Sequence, residues 1–402
     1  MSTQRRRNTP LVEWMGKQGL SAPDLARALN SEIGAITGRE GRLTEGTVRK
    51  WRSGETQWPR ALQRRALAQV SGLTAADLGF IHPSARPEEG PVHRRTFITG
   101  AGAVSATLAI TPAAGRGRWR TGTSDVEDLR EQLDRLTRTD QTQGGQALEQ
   151  AAEAICHTAT AAVNAGGCSD RIERMLYAVA ADAVAASAWY ALDGHRTATA
   201  AQHIDAATRL AALSRDPYAL LHAWNSQVHY ALTTGRRADA KAAAEKLSTL
   251  RAARQDPLCR SLAQARLGTA AALLADRRRA EAAFDRAHDT LTHSQPVPRP
   301  RWLGFYGTAD LHSLHGKSLR ILGRPQHAET HARTALATVH AGYLRDRALY
   351  RVHLAEAQLA QGERDAAADT IDRAARLAAG LPGSARVHTA IHRLTTTLEA
   401  AR

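Results

Sequence analysis

Four stretches of this chain superimpose without a gap: Gly235–Ala240, Ala275–Ala280, Gly323–Ala328 and Gly362–Ala367. Each opens on a turn residue and carries alanine five positions later. Seven residues further on stand Leu247, Ala287, Ala335 and Ala374, all compact and apolar. A looser fifth copy lies near Gly194–Ala207. Small residues five and twelve positions beyond a turn are what the second helix of a packed hairpin needs, because short side chains let neighbouring backbones approach. Nothing in residues 125–402 alternates like a strand, whereas Ala, Leu and Arg recur at helical spacing throughout. Aromatic residues are only 4% of the chain, so its core must be built mainly from Ala, Leu and Val. The pattern predicts an all-α chain whose larger part is an α-solenoid of stacked helical hairpins.

The repeat resembles the tetratricopeptide type with its helix-B alanines. Successive turn residues are 39 to 48 positions apart, longer than that family's usual period, and the widest gap holds the loop Pro296–Pro300. Several signature aromatics of the family are missing. The resemblance implies a concave surface that takes a peptide, a protein partner or a small-molecule ligand. Trp189, Tyr190, Trp302, Tyr306 and Tyr343 fall in or near first helices, where repeat-core packing is the simplest reading. Trp224, Asn225 and His229 are the candidate groove residues.

Charge divides the chain unevenly. Residues 1–124 hold 19 Lys and Arg against 9 Asp and Glu, whereas the remaining 278 residues hold 35 against 30. Two thirds of the net +15 therefore lies in less than a third of the chain, which points to a polyanionic partner for the N-terminal part. The preference for Arg over Lys (49 to 5) carries no such information.

Residues 1–80 read as a compact unit of five short helices. Leu11, Val12, Trp14 and Met15 share one face; Ser21, Pro23 and Asp24 open a second helix carrying Leu25, Ala26 and Leu29. A third spans Thr44–Ser53, with Val48 and Trp51 one turn apart and Gly54 beyond its end. A fourth follows Pro59, and a last short turn begins at Thr74. With Val48 and Trp51 inward, Glu45, Gly46, Thr47, Arg49, Lys50 and Arg52 lie on or beside the outer face. Such a helix can enter a major groove, its first turn reading base edges while the cations meet phosphates.

The stretch Leu43–Gly54 resembles the recognition helix of the lambda-repressor-like (XRE-type) helix-turn-helix family, and Leu25–Leu29 resembles its second helix. The resemblance implies base-reading positions at Glu45, Gly46 and Lys50, with Thr44, Thr47 and Arg49 nearby, and places Ser21 and Arg27 near the DNA backbone. The connection between the second and third helices, read as Ser31–Leu43, is longer than the family's. Its Arg39 and Arg42 are candidate phosphate clamps. Because one short recognition helix needs a second half-site, a homodimer on double-stranded DNA is expected.

Residues 81–124 read as a linker. Its segment His93-Arg94-Arg95-Thr96-Phe97 resembles a twin-arginine export signal, but 93 residues precede the paired arginines, so the expectation is a cytoplasmic linker and no membrane partner. No apolar run of about 18 residues marks a conventional membrane span. Three cysteines without a C-x-x-C pair exclude a disulfide scaffold or a cysteine-ligated zinc module. There is no P-loop, no G-x-S-x-G elbow and no Cys–His pair, so an enzyme is not expected. His327 and His331 stand at i, i+4, but Glu329 is at the wrong offset for H-E-x-x-H. With His312 and His315 on the preceding helix, these read as solvent-facing histidines, and no metal or other cofactor is expected.

The whole resembles the helix-turn-helix plus tetratricopeptide regulators of actinomycetes. The function this implies is DNA-binding transcriptional regulation, with residues 125–402 sensing a ligand or mediating interaction and dimerisation. The alternative is a tetratricopeptide scaffold acting by protein–protein contact alone.

Overall fold

A computed structural model describes residues 7–81 and 121–400, apart from 38, 76, 144, 146, 147, 296 and 382. The described residues are all helical or irregular, with no strand, and the chain divides into two compact units, Met1–Gly117 and Arg118–Arg402. Most of the expected linker, including Arg94 and Arg95, lies outside the described residues.

The first unit has four regular helices: α1 (Thr9–Lys17), α2 (Ala22–Thr37), α3 (Glu45–Arg52) and α4 (Ala61–Ser71). They close over Leu11, Leu25, Leu29, Val48, Trp51 and Leu67, each without solvent exposure. The stretch from Thr74 is a tight turn. Asp77 accepts from the backbone N–H (3.0 Å) and hydroxyl (2.7 Å) of Thr74, and Gly79 leaves at φ 78°, which delivers Phe80 edge-on to Trp51. The connection ahead of α3 is shorter than the sequence suggested, because α2 continues two turns past Leu29 and leaves only residues 38–44. Asn30 clamps that loop, accepting from Leu43 N–H at 2.7 Å and donating to Leu43 O at 2.9 Å. A side chain at Gly41 would collide with the Asn30 amide, so glycine is required at that close approach.

The second unit begins with α5 (Thr123–Gln143) and α6 (Glu149–Asn164). Five hairpins follow: α7 (Asp170–Asp193) with α8 (Thr197–Ser214), α9 (Pro217–Thr233) with α10 (Arg237–Thr249), α12 (Pro257–Leu273) with α13 (Arg277–Thr292), α14 (Thr308–Ile321) with α15 (Pro325–Thr338), and α16 (Leu344–Ala360) with α17 (Arg364–Ala378). A short α11 (Arg251–Gln255) precedes the third hairpin and α18 (Ala385–Glu399) ends the stack. One left-handed residue closes each hairpin: His195, Gly235, Ala275, Gly323 and Gly362, with φ from 58° to 82°. The N–H of the next residue reaches back five positions in every case, as in Arg236 N–H to Ala231 O at 2.9 Å and Glu363 N–H to Gln358 O at 2.9 Å. This is the Schellman arrangement that satisfies a helix's last carbonyls. Five and twelve residues beyond each left-handed residue, the side chains are at most 2% exposed, from Ala200 and Ala207 in the first hairpin to Ala367 and Ala374 in the last.

Helix α7 is the one described helix long and apolar enough to cross a membrane. Fifteen of its 24 residues are buried inside the second unit, so its apolarity is that of a core helix. The widest gap between repeats is filled by residues 293–307. There Leu303 is buried, and Arg299 reaches back to Asp256, the N-cap of α12, at 2.6 and 2.8 Å.

The stack is closed across its interior by α5, whose Asp140 pairs with Arg345 of α16 and whose Asp134 meets Arg301 at 2.8 Å. Asp193, at the end of α7, accepts from Ser384 and Arg386, each at 3.2 Å. The first hairpin and the start of α18 thus share buried polar contacts.

Candidate functional site

In the first unit the candidate face is built around α3. Thr44 is extended and caps the helix, its hydroxyl accepting from Thr47 N–H at 3.4 Å. The cap fixes the rotation of a helix only eight residues long, and Val48 and Trp51 anchor its inner side. Glu45, Gly46, Arg49 and Lys50 are exposed, while Thr47 and Arg52 are half-buried. Arg49 reaches Glu45 and Lys50 reaches Glu55, each at 3.3 Å; both are exposed pairs, worth little in water and easily exchanged for a phosphate. Arg39 and Arg42 are exposed on the 38–44 connection. Ser21 and Arg27 both engage Asp24 at the start of α2, Arg27 at 2.9 Å. The hydrogen bonds from Ser21 hold the Asp24 carboxyl below its usual range.

One participant is absent from the sequence-level set. Asn8 N–H bonds Arg52 O at 3.1 Å, which brings Arg7 and Asn8 against the end of α3. Arg7, Arg49, Arg52 and Ser53 then surround a shallow depression. The available signal was that Arg7 ends a run of three arginines.

In the second unit the concave interior encloses a cavity of about 420 Å³, within the range of small-molecule sites. Six cations line it: Arg266, Lys317, Arg320, Arg345, Arg386 and Arg393, against the carboxyls of Asp140, Asp310, Asp346 and Glu356. Trp189 is held between guanidinium groups, with Arg386 4.7 Å and Arg345 5.1 Å from its ring centre, and His229 beside it at 4.7 Å. Across the cavity His222 stacks parallel on Trp302 at 4.1 Å and bonds Asp182 through Nδ1 at 2.8 Å. Flat rings beside cations make a site for a planar or apolar body that carries negative charge.

Two of the three predicted groove residues line this cavity. Asn225 is buried and accepts from Arg266 Nε at 2.9 Å, and His229 packs on Trp189. Trp224, one residue away on α9, turns instead into the apolar core with Leu221 and Val228. Adjacent helical residues point about 100° apart, so Trp224 and Asn225 do not share a face.

Lys317, one of only five lysines, lines the cavity with its side chain accessible. Burial pushes its ammonium below the usual lysine range, partly countered by Glu356. Burial also pushes His229 well below its ordinary value and His353 down to about 3, so both are neutral at pH 7. It pushes the Asp310 carboxyl up to about 8, with the Asp346 charge adding to the effect. Partial protonation of Asp310 leaves the lining more positive than its formula.

Sequence reasoning placed the histidines of α14 and α15 in solvent. Only His327 is exposed; His312, His315 and His331 are half-buried and pack with His288 of α13, because Gly316 lets α14 and α15 approach closely.

No protein-family model and no curated protein matches the chain. Among solved structures it is similar to the crystal structure of BtubC (BKLC) from P. vanneervenii, at 19% identity and a TM-score of 0.34. The match covers 62% of this chain and 91% of that one.

Proposed function

We propose that the protein is a DNA-binding transcriptional regulator whose helical-repeat unit senses a small anionic ligand and dimerises. The observation that carries the DNA reading is the face of α3. Glu45, Gly46, Thr47, Arg49 and Lys50 present a polar first turn followed by cations, on a helix capped by Thr44 and anchored by fully buried Val48 and Trp51. Phosphate neutralisation by Arg7, Arg39, Arg42, Arg49 and Arg52 supplies salt-dependent affinity, and Glu45, Gly46 and Lys50 supply base contacts. The ligand reading is supported by the cavity, whose cations outnumber carboxyls six to four and include Lys317. A carboxylate or phosphate meets Lys317, Arg266 and Arg386, while Trp189 and Trp302 cover the body of the molecule. Helix α5 borders the cavity through Thr137 and Asp140 and is the first described helix after the linker.

The test is binding to genomic fragments across a salt series, wild type against Arg49→Ala/Lys50→Ala. The double variant should bind at least about 10-fold more weakly, with a salt slope shallower by about one for the lost Arg49 phosphate contact. Equal binding by both proteins, or by neither, would refute α3 as the reading helix.

A further inference from the structure

Four imidazoles meet where three consecutive helices of the stack pack together: His288 from α13, His312 and His315 from α14, and His331 from α15. His312 Nδ1 lies 2.9 Å from His331 Nδ1, and His288 Nε2 lies 3.2 Å from His315 Nδ1. One ring nitrogen from each of His288, His312 and His331 lies within 4.8 Å of the other two. The rings crowd accordingly, with centres 4.1 Å apart for His315 and His331 and 4.8 Å apart for His312 and His331. Phe284 stacks on His315 at 4.3 Å. At Gly316 a Cβ would stand 3.0 Å from Ala328 O and 3.1 Å from His331 Cβ. The glycine therefore admits the close helix approach on which the cluster depends.

Hydrogen bonding alone accounts poorly for this arrangement. Two pairs of neutral rings share one proton each, so four partly desolvated imidazoles gain two hydrogen bonds between them. The ligand chemistry accounts for it better. Each neutral imidazole offers a metal one lone pair, and one nitrogen from each of His288, His312 and His331 already stands within 4.8 Å of the other two. No thiolate or carboxylate belongs to the set, and an all-imidazole set suits zinc, copper or nickel rather than magnesium or calcium.

We propose that His288, His312 and His331 form a binding site for a divalent first-row transition metal, zinc foremost, that ties α13, α14 and α15 together. Ligand nitrogens on tetrahedral zinc stand about 3.3 Å apart, given Zn–N bonds of about 2.0–2.1 Å. The Nδ1 atoms of His312 and His331, 2.9 Å apart, stand slightly inside that spacing, and the three ligand nitrogens lie within 4.8 Å of one another, so side-chain rotation closes the remaining gap. Binding through Nδ1 of His312 and His331 requires the proton they share to move to the outer nitrogen of whichever ring donates it, with no net proton released. His315 completes the nitrogen-rich surroundings. All four residues are half-buried, so an ion reaches them from solvent. A second group, Glu149, Glu153 and His203, is different in kind: Arg196 already occupies Glu149, and His203 bonds both carboxylates.

The experiment uses tag-free, full-length protein stripped with chelator and titrated with zinc alone, in competition with a chromophoric chelator. The wild type should take up one equivalent. His312→Asn/His331→Asn should bind at least about 100-fold more weakly, the loss that even an outer-shell change can produce. His327→Asn, on the exposed face, should bind as the wild type does. X-ray absorption at the zinc edge of the wild type needs no variant to fold, and it should show imidazole scattering with no sulfur. Failure of the wild type to compete for zinc, unchanged binding in the double variant, or a sulfur- or carboxylate-dominated spectrum would each overturn the proposal.

Discussion

The left-handed residue that closes each hairpin separates conformational energy from packing. Gly235 has φ 72° and no atom within 4 Å of where a Cβ would stand, so Gly235→Ala adds no clash, only the strain of a left-handed alanine. Ala275 already bears that strain at the equivalent turn, with φ 58°. The two substitutions should therefore act with opposite sign. Gly235→Ala should lose about 1 kcal/mol, while Ala275→Gly should gain about 0.5 kcal/mol, less because glycine raises the entropy of the unfolded chain. Urea unfolding of both variants checks this, and equal losses would mean that the turns are held by something other than backbone geometry. The equivalence also explains why the repeat reads from Ala275 as readily as from the glycines: the position demands a conformation, and glycine is only its cheapest occupant.

Among elements, α3 shows what a short helix needs in order to present a face. Eight residues are too few for a stable helix in water, so its orientation rests on the Thr44 cap, on Val48 and on Trp51, which meets Phe80 edge-on at 5.7 Å. Trp51→Ala should cost about 3–5 kcal/mol in the first unit. Amide hydrogen exchange should then rise across residues 7–81 while α7–α17 keep their protection, and a parallel rise in both units would contradict the division of the chain. The α3 face was legible in the sequence because capping, inward anchors and outward cations all lie within one local stretch. The hairpin register was legible for the same reason, since the turn and its two small residues span thirteen positions. What escaped depends on distant packing. Arg7 is brought to α3 by the Asn8–Arg52 bond, and Trp224 parts from Asn225 because helix rotation is set by neighbours. His288 is separated from His312 by a loop whose path no periodicity describes. A further repeat mark, an N-cap aspartate followed by proline at Asp216-Pro217 and Asp256-Pro257, shows its meaning only when both are seen to start first helices.

For the repeat unit as a whole, the cavity exists because α5 crosses the interior and is fastened there by Asp140 and Arg345, whose side chains are 6% and 3% exposed. Burial pushes Asp140 up and works against the pair, while the Arg345 charge pulls the other way, so the contact is a locating device more than a source of stability. Asp140→Ala should cost about 3 kcal/mol, because buried Arg345 stays charged and loses its closest carboxylate, Asp346 standing farther off at 3.6 Å. Asp140→Leu/Arg345→Met, which removes both charges and refills the volume, should recover most of that loss. The single variant should also expose α5 amides to exchange, since the ion pair of Asp134 with Arg301 is partly solvent-exposed. An added oxyanion such as sulfate offers Arg345 the charge it has lost and should stabilise Asp140→Ala more than the wild type. If sulfate helps both proteins equally, the guanidinium is not open to the cavity, and α5 positions the stack without sensing what fills it.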